Sequence, residues 1–266
     1  MSLHEKVRND IIAHLSREES DKINQLNNSM RLLAKWRSVL IQNTLIQNEG
    51  KIVLGGPFQG MEFLEQSSEG CHIAKLLGCY EQPLFPHIEK AILTEFELIL
   101  NVGCAEGYYA VGMAMRMPKT KILAFDTNNQ AQSSCNRLAI TNKVSNRVHV
   151  GGTFSTSDFQ KYQKKRTLLL CDIEGAENEL LDVHLAKSLK DMSIIVESHD
   201  CLRPGTTQRL SERFSTTHEI IQVDDSGARE ILRAPQWFKS LSHLDQLLAT
   251  WEWRSGPTPW LVMKPK

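Results

Sequence analysis

Two short stretches of the chain concentrate groups able to do chemistry. One is Asp172-Ile173-Glu174-Gly175-Ala176-Glu177, and the other is Glu197-Ser198-His199-Asp200. Each follows an apolar run of strand length, Thr167 to Cys171 and Ser193 to Val196, so each is expected at a strand end, where an open parallel sheet collects its ligands. An imidazole with an ordinary pKa of about 6.5 takes up and releases protons near neutrality. Carboxylates beside an imidazole also make a hard donor set for a divalent cation such as magnesium. The candidate catalytic groups are therefore His199, Asp172, Glu174 and Glu197, with His199 as general base. Asp172, Glu197 and His199 are the candidate metal ligands. The alternative is that these are surface polar residues, some of them favouring a helix start near Glu177 through its dipole.

A second group surrounds Asn101-Val102-Gly103-Cys104-Ala105-Glu106-Gly107-Tyr108-Tyr109, which follows the apolar run Leu98 to Leu100 and precedes the apolar-periodic segment Ala110 to Met117. Strand, glycine turn and helix in succession make a cradle in which the backbone approaches a ligand closely and helix-start N–H groups meet a polar group. Asp126 ends the next strand, Lys121 to Phe125. It lies about twenty residues past the turn, the separation at which a carboxylate accepts from ribose hydroxyls. Its other reading is a helix cap.

These groups need a scaffold, and the chain from Glu97 onward alternates apolar runs with helical stretches. Strands are expected at 98–102, 121–125, 147–150, 167–171, 193–197, 218–223 and 258–264. Helices are expected at 87–94, 110–117, 129–141, 177–189, 206–214 and 242–250, with a shorter one within 155–163. Near-continuous apolar strands separated by helices give an α/β fold whose parallel sheet is covered on both faces. Residues 3–49 contain no glycine or proline and read as helical. Ile23, Leu26, Met30, Leu33, Leu40 and Thr44 define one apolar face interrupted by Arg37, to be buried against the main domain or in a helical dimer. Residues 1–82 are thus taken as a helical extension with a lid-like or hairpin segment, and 83–266 as the catalytic-type domain.

Composition narrows the partners. Lysine plus arginine balance aspartate plus glutamate at 31 each, so no global charge calls for nucleic acid. No apolar run reaches the ~20 residues of a membrane span. The six cysteines show no metal-finger or C-x-x-C spacing and suit reduced thiols in a cytoplasmic protein.

The succession Asn101 to Tyr109, Phe125-Asp126, Asp172 to Glu177 and Val196-Glu197-Ser198-His199 resembles the FkbM family of class I S-adenosylmethionine-dependent methyltransferases over about residues 84–264. The last two blocks are the more specific. The resemblance implies a Rossmann-like seven-stranded sheet with its last strand antiparallel, S-adenosylmethionine as cofactor, and O-methylation of a sugar, glycan or related hydroxylated small molecule. It implies that Asn101, Gly103, Cys104, Ala105, Glu106, Gly107 and Tyr108 pass by the methionine part. Asp126 and Thr127 would meet the ribose, Gly152 and Thr153 border the adenine, and Asp172 face the methyl-transfer region. Three departures stand out: Asn101 replaces the usual acid, Ala105 the frequent middle glycine, and Gly152-Thr153 lacks the acid often found by the adenine. Two other functions fit parts of the pattern: a nicotinamide-dependent oxidoreductase, and a non-catalytic scaffold that keeps the cofactor fold.

Overall fold

The structure is a computed structural model that describes residues 2–17, 21–63, 67, 71–163, 165–231, 233–254 and 256–266. Helices α1 (Leu3–Leu15), α2 (Lys22–Glu49), α3 (His72–Leu77) and α4 (Phe85–Ile92) lead into β1 (Leu98–Val102). The chain then runs α5 (Tyr108–Arg116), β2 (Lys121–Phe125), α6 (Asn129–Thr141), β3 (Val148–Gly151), β4 (Thr167–Cys171), α7 (Glu177–Leu180) and β5 (Ser193–Glu197). It closes with α8 (Thr206–Phe214), β6 (His218–Val223), α9 (Gln236–Lys239), α10 (His243–Thr250) and β7 (Trp260–Pro265).

The strands form one seven-stranded sheet in the order β3-β2-β1-β4-β5-β7-β6. β1 to β5 pair in parallel, and β7 lies antiparallel between β5 and β6, which is the expected fold. Burial explains the composition of the central strands. Every residue of β1 and β4 is buried; Ile99 packs with the core on one face, and Leu98, Leu100 and Val102 with that on the other. Strand order reverses between β1 and β4, so their carboxyl ends part around a crevice.

The first core runs on into the N-terminal third. Ile41 and Leu45 of α2, Val53, Phe58 and Met61 of the following turn, and Ile73 of α3 share it with Ile99 and Ile122. Residues 52 and 62 form an antiparallel bridge; residues 64–66 and 68–70 of this segment lie outside the described residues. The helix starts differ little from expectation.

Two expectations need correction. The helix expected over 177–189 stops at Leu180 and resumes as a 3-10 turn at Lys187–Asp191. The cause is Asp182, whose Oδ1 accepts from the N–H groups of His184 (2.7 Å) and Leu185 (3.3 Å) and so offers the backbone a turn in place of a helical ladder. The second concerns α2. The stripe expected to be buried is open over its first half, with Ile23, Leu26, Met30 and Leu33 exposed by 73, 63, 62 and 47 %, and Thr44 is exposed as well. The covered side carries Gln25, Ser29, Ser38, Ile41 and Leu45. Gln25 Nε2 donates to the carbonyls of His14 and Arg17, which ties α2 to the end of α1, and Arg37 forks onto Asp245 of α10 at 2.6 and 2.7 Å. Polar anchors, rather than the apolar stripe, set how this helix is rotated.

Candidate active site

The turn after β1 is held by backbone conformations that few residues tolerate. Gly103 (φ +79°) and Gly107 (φ +96°) are left-handed, and a Cβ on Gly103 would lie 1.5 Å from the Asp172 carbonyl oxygen. The ends of β1 and β4 therefore touch only because residue 103 has no side chain. Ala105 adopts φ +47°, and Glu81 and Glu174 are left-handed at +53°. Non-glycine residues in this region carry about 1–3 kcal/mol of strain each, which the surrounding structure must offset.

The turn borders a cavity of about 30 Å³ lined by Asn101, Gly103, Cys104, Ala105, Glu106, Tyr108 and Asp172, together with Lys75, Tyr80, Tyr109 and Trp260. It thus gathers seven of the residues named from sequence. Asn101 and Tyr108 are 4 % exposed, and Asn101 Oδ1 and the Tyr108 hydroxyl are buried without a hydrogen-bond partner. Such atoms forfeit hydration unless a ligand or water meets them. Gly107, Asp126, Thr127, Gly152 and Thr153 do not line the cavity. They follow β1, β2 and β3 along the same sheet edge. Asp126 accepts from Ala105 N (2.9 Å) through one oxygen and from Asn128 N (2.8 Å) through the other. Asn128, not Asp126, caps α6.

Asp172 also faces the acid–imidazole cluster. His199 is 3 % exposed. Its Nε2 lies 3.5 Å from Asp172 Oδ1, 3.4 Å from Glu174 Oε2 and 3.7 Å from Glu197 Oε2. On the opposite side of the ring, Nδ1 sits 2.7 Å from Glu177 Oε1, which also accepts from Gly175 N at 2.9 Å. Asp172, Glu174 and His199 each offer one ligand atom within 4.8 Å of the others. Burial pulls the His199 pKa down, but the Glu177 hydrogen bond and the charges of Glu197, Glu177 and Glu174 outweigh it, so the imidazole ends above its ordinary value. Burial likewise pushes Glu177 up, and its bonds from His199 and Gly175 bring it below the usual carboxylate range.

Glu197 has a second allegiance. Its Oε1 accepts from Arg254 Nη1, whose Nη2 also reaches Glu81 (2.8 Å) and whose Nε reaches Glu252 (3.1 Å). Arg229 bridges Glu252 and Asp225. Tyr109 donates its hydroxyl to Glu81. Burial and the neighbouring Glu197 lift Glu81 to about 7 despite Arg254. This network joins residues far apart in sequence, and Lys75, Arg229, Glu252 and Arg254 were not singled out by pattern. Lys75 is the fullest omission: its ammonium pairs with Glu106 Oε1 at 2.5 Å, with both residues at most 3 % exposed.

Three of the five tryptophans meet side chains of α2. Lys35 and Arg31 of α2 lie over Trp253 (5.0 Å) and Trp251 (5.6 Å), and Trp237 Nε1 donates to Glu49. Asp200 closes the start of α8 by accepting from Gly205 N and Thr207 N. All six cysteines are free. Among the described residues, no helix is long and apolar enough to cross a membrane.

No protein-family model matches the chain, and no curated protein matches it. Solved structures superimpose on it loosely. An O-methyltransferase from Bacillus cereus in complex with SAH superimposes with a TM-score of 0.45 at 11 % identity, over 100 % of this chain and 91 % of that one. The O-methyltransferase TomG from Streptomyces achromogenes, involved in tomaymycin synthesis and in complex with SAM, gives 0.44 at 10 % identity over 99 % and 100 %. Superposition this loose leaves the chemistry to be read from the site itself.

Proposed function

We propose that the chain is an S-adenosylmethionine-dependent O-methyltransferase of the FkbM type, cytoplasmic, acting on a hydroxyl of a small molecule or glycan. The observation that carries this reading is the meeting, at the reversal of strand order, of a glycine turn with the Asp172–His199 cluster. The residues fit the cofactor: Gly103 lets the turn close against Asp172 beside the cavity, and Asn101 Oδ1 and the Tyr108 hydroxyl, which line that cavity, are buried and unmet. Gly103 to Gly107 with Asn101 would hold its methionine part, Asp126 and Thr127 its ribose, and Gly152 and Thr153 its adenine. Bound there, S-adenosylmethionine supplies an electrophilic methyl group on sulfur.

The chain's own residues must then align a hydroxyl and take its proton. With Nδ1–H donated to Glu177, the neutral His199 ring presents its Nε2 lone pair toward Asp172 and Glu174, and a raised pKa makes it a stronger base toward an alcohol. Alternatively, Nε2 with Asp172 and Glu174 holds a divalent cation, backed by Glu197, in the carboxylate–histidine–metal arrangement; such an ion lowers the pKa of a bound hydroxyl. One lone pair serves one role, so base and ligand are competing assignments for His199. The open stripe Ile23-Leu26-Met30-Leu33, at coiled-coil spacing, suits a second copy of the chain.

Methyl-labelled S-adenosylmethionine incubated with hydroxylated acceptors tests the reaction class. The reading expects label in an alkali-stable ether, and label found only in amines or alkali-labile esters would contradict it.

A further inference from the structure

A second hollow lies at the other end of the sheet, where β4 and β5 begin. An open groove of about 400 Å³ runs there between α4 and β6, a volume within the roughly 300–1,000 Å³ of small-molecule sites. Its floor is apolar. Leu168, Ile195, Val262 and Ile221 supply it from the four neighbouring strands β4, β5, β7 and β6, and Ala91 and Phe96 stand beside it. Ile195 is in register with Val262, and Val262 with Ile221, so three branched side chains form one row across the sheet. The row ends in the open, because Ile221 is 51 % exposed.

Charge surrounds this floor. Lys90, Arg166 and Lys264 line the groove together with Asp191 and Glu219. Glu219 stands directly across from Lys264 in the β6–β7 register, which leaves Asp191 alone to face two cations, Lys90 and Arg166. Among the described residues neither of these side chains makes an ion pair or a hydrogen bond; Arg166 only lies over the Phe96 ring at 5.9 Å. His87, also at the groove, adds no charge at neutral pH, since burial and the Lys90 charge push its pKa below 6.5. One positive charge is thus left over beside an apolar row. We infer that the groove binds a small amphipathic carboxylate, its chain or ring along Ile195, Val262 and Ile221 and its head group at Lys90 and Arg166. A guanidinium holds a carboxylate through two N–H groups and an ammonium adds a third donor. The groove is separate from the catalytic cluster: it borders the first residues of β4 and β5, whereas Asp172 and His199 follow the last ones. The inference therefore stands independently of the cofactor reading.

The test is calorimetric titration of the intact protein with octanoate at low ionic strength, beside 1-octanol, which has the chain without the charge. One octanoate per chain is expected, with 1-octanol at least about tenfold weaker. Lys90 and Arg166 are exposed, so Lys90→Gln and Arg166→Gln leave the fold intact. Each is expected to weaken octanoate about fivefold or more and to leave 1-octanol unchanged. Ile221→Asp, at the open end of the row, is expected to abolish uptake of both. No saturable uptake at millimolar octanoate overturns the inference, as does octanoate held no better than 1-octanol or undiminished by the two glutamine substitutions. Two controls locate the ligand. Saturating S-adenosylhomocysteine is expected to leave octanoate in place, and displacement would put octanoate in the catalytic crevice and overturn the site. Leu26→Ser/Met30→Ser on the open stripe of α2 is expected to change nothing, and lost binding there would assign the chain to α2 instead.

Discussion

His199 Nδ1 lies 2.7 Å from Oε1 of Glu177, a carboxylate with no exposed surface. The contact fixes which ring nitrogen faces the other acids. It also raises the imidazole pKa above 6.5 while the Glu177 pKa falls below 4.5. The His199 contribution to stability is therefore complete below pH 6.5 and lost as pH rises through its folded value. That of Glu177 is present above pH 4.5 and lost on acidification.

Glu177→Gln keeps an acceptor for Nδ1–H but removes its charge. If His199 is the base, the rising limb of the pH–rate profile lies above 6.5 in the wild type and moves to lower pH in the variant. A limb in the same place in both proteins would remove Glu177 from the tuning of this group.

The Asp172, Glu174 and His199 donors make a cation measurable directly. Manganese alone, followed by electron paramagnetic resonance, is expected to bind the wild type, and Asp172→Asn or Glu174→Gln to weaken it about tenfold or more. No uptake at millimolar manganese, with full turnover after chelation, would leave His199 as base only.

Arg254 contacts Glu81, Glu197 and Glu252, three buried carboxylates, in one network. Arg254→Met strands Glu81 and Glu197, while Glu252 keeps Arg229, and is expected to cost about 3–5 kcal/mol in denaturant unfolding. The deficit shrinks as pH falls, because the stranded acids then bind protons and Glu81, already lifted to about 7, is the first to do so. A pH-independent deficit would contradict this account of the network.

Gly103→Ala places a Cβ 1.5 Å from the Asp172 carbonyl at φ +79°. A loss above about 2 kcal/mol is expected by urea unfolding, along with a displaced β4 end. At Gly152 a Cβ meets only Gln132 Nε2 at 3.9 Å, so Gly152→Ala is the tolerated control. Equal stability of the two variants would show that β1 and β4 are not in contact here.

Much of this was legible from local pattern. Leu98, Ile99 and Leu100 announce a strand buried on both faces, and glycine before Tyr108 announces the turn, because both signals lie within a few residues. Asp172, Glu174 and His199 were legible as strand-end chemistry. Arg254 and Lys75 were not: Arg254 meets Glu81 across 173 residues, and Lys75 meets Glu106 across 31, and no periodicity marks such a pairing. Glu177 stood in the acidic block, where a helix-dipole role was the alternative reading. On α2, spacing located the apolar side, but the rotation was set by Gln25 and Arg37 through partners on other helices.

Calorimetric titration with S-adenosylhomocysteine, beside NAD and the Asp126→Ala variant, tests the central claim most directly. The account predicts saturable binding of one S-adenosylhomocysteine per chain, weakened by the substitution, with no response to NAD. A folded protein that ignores S-adenosylhomocysteine, or that binds NAD instead, would contradict it.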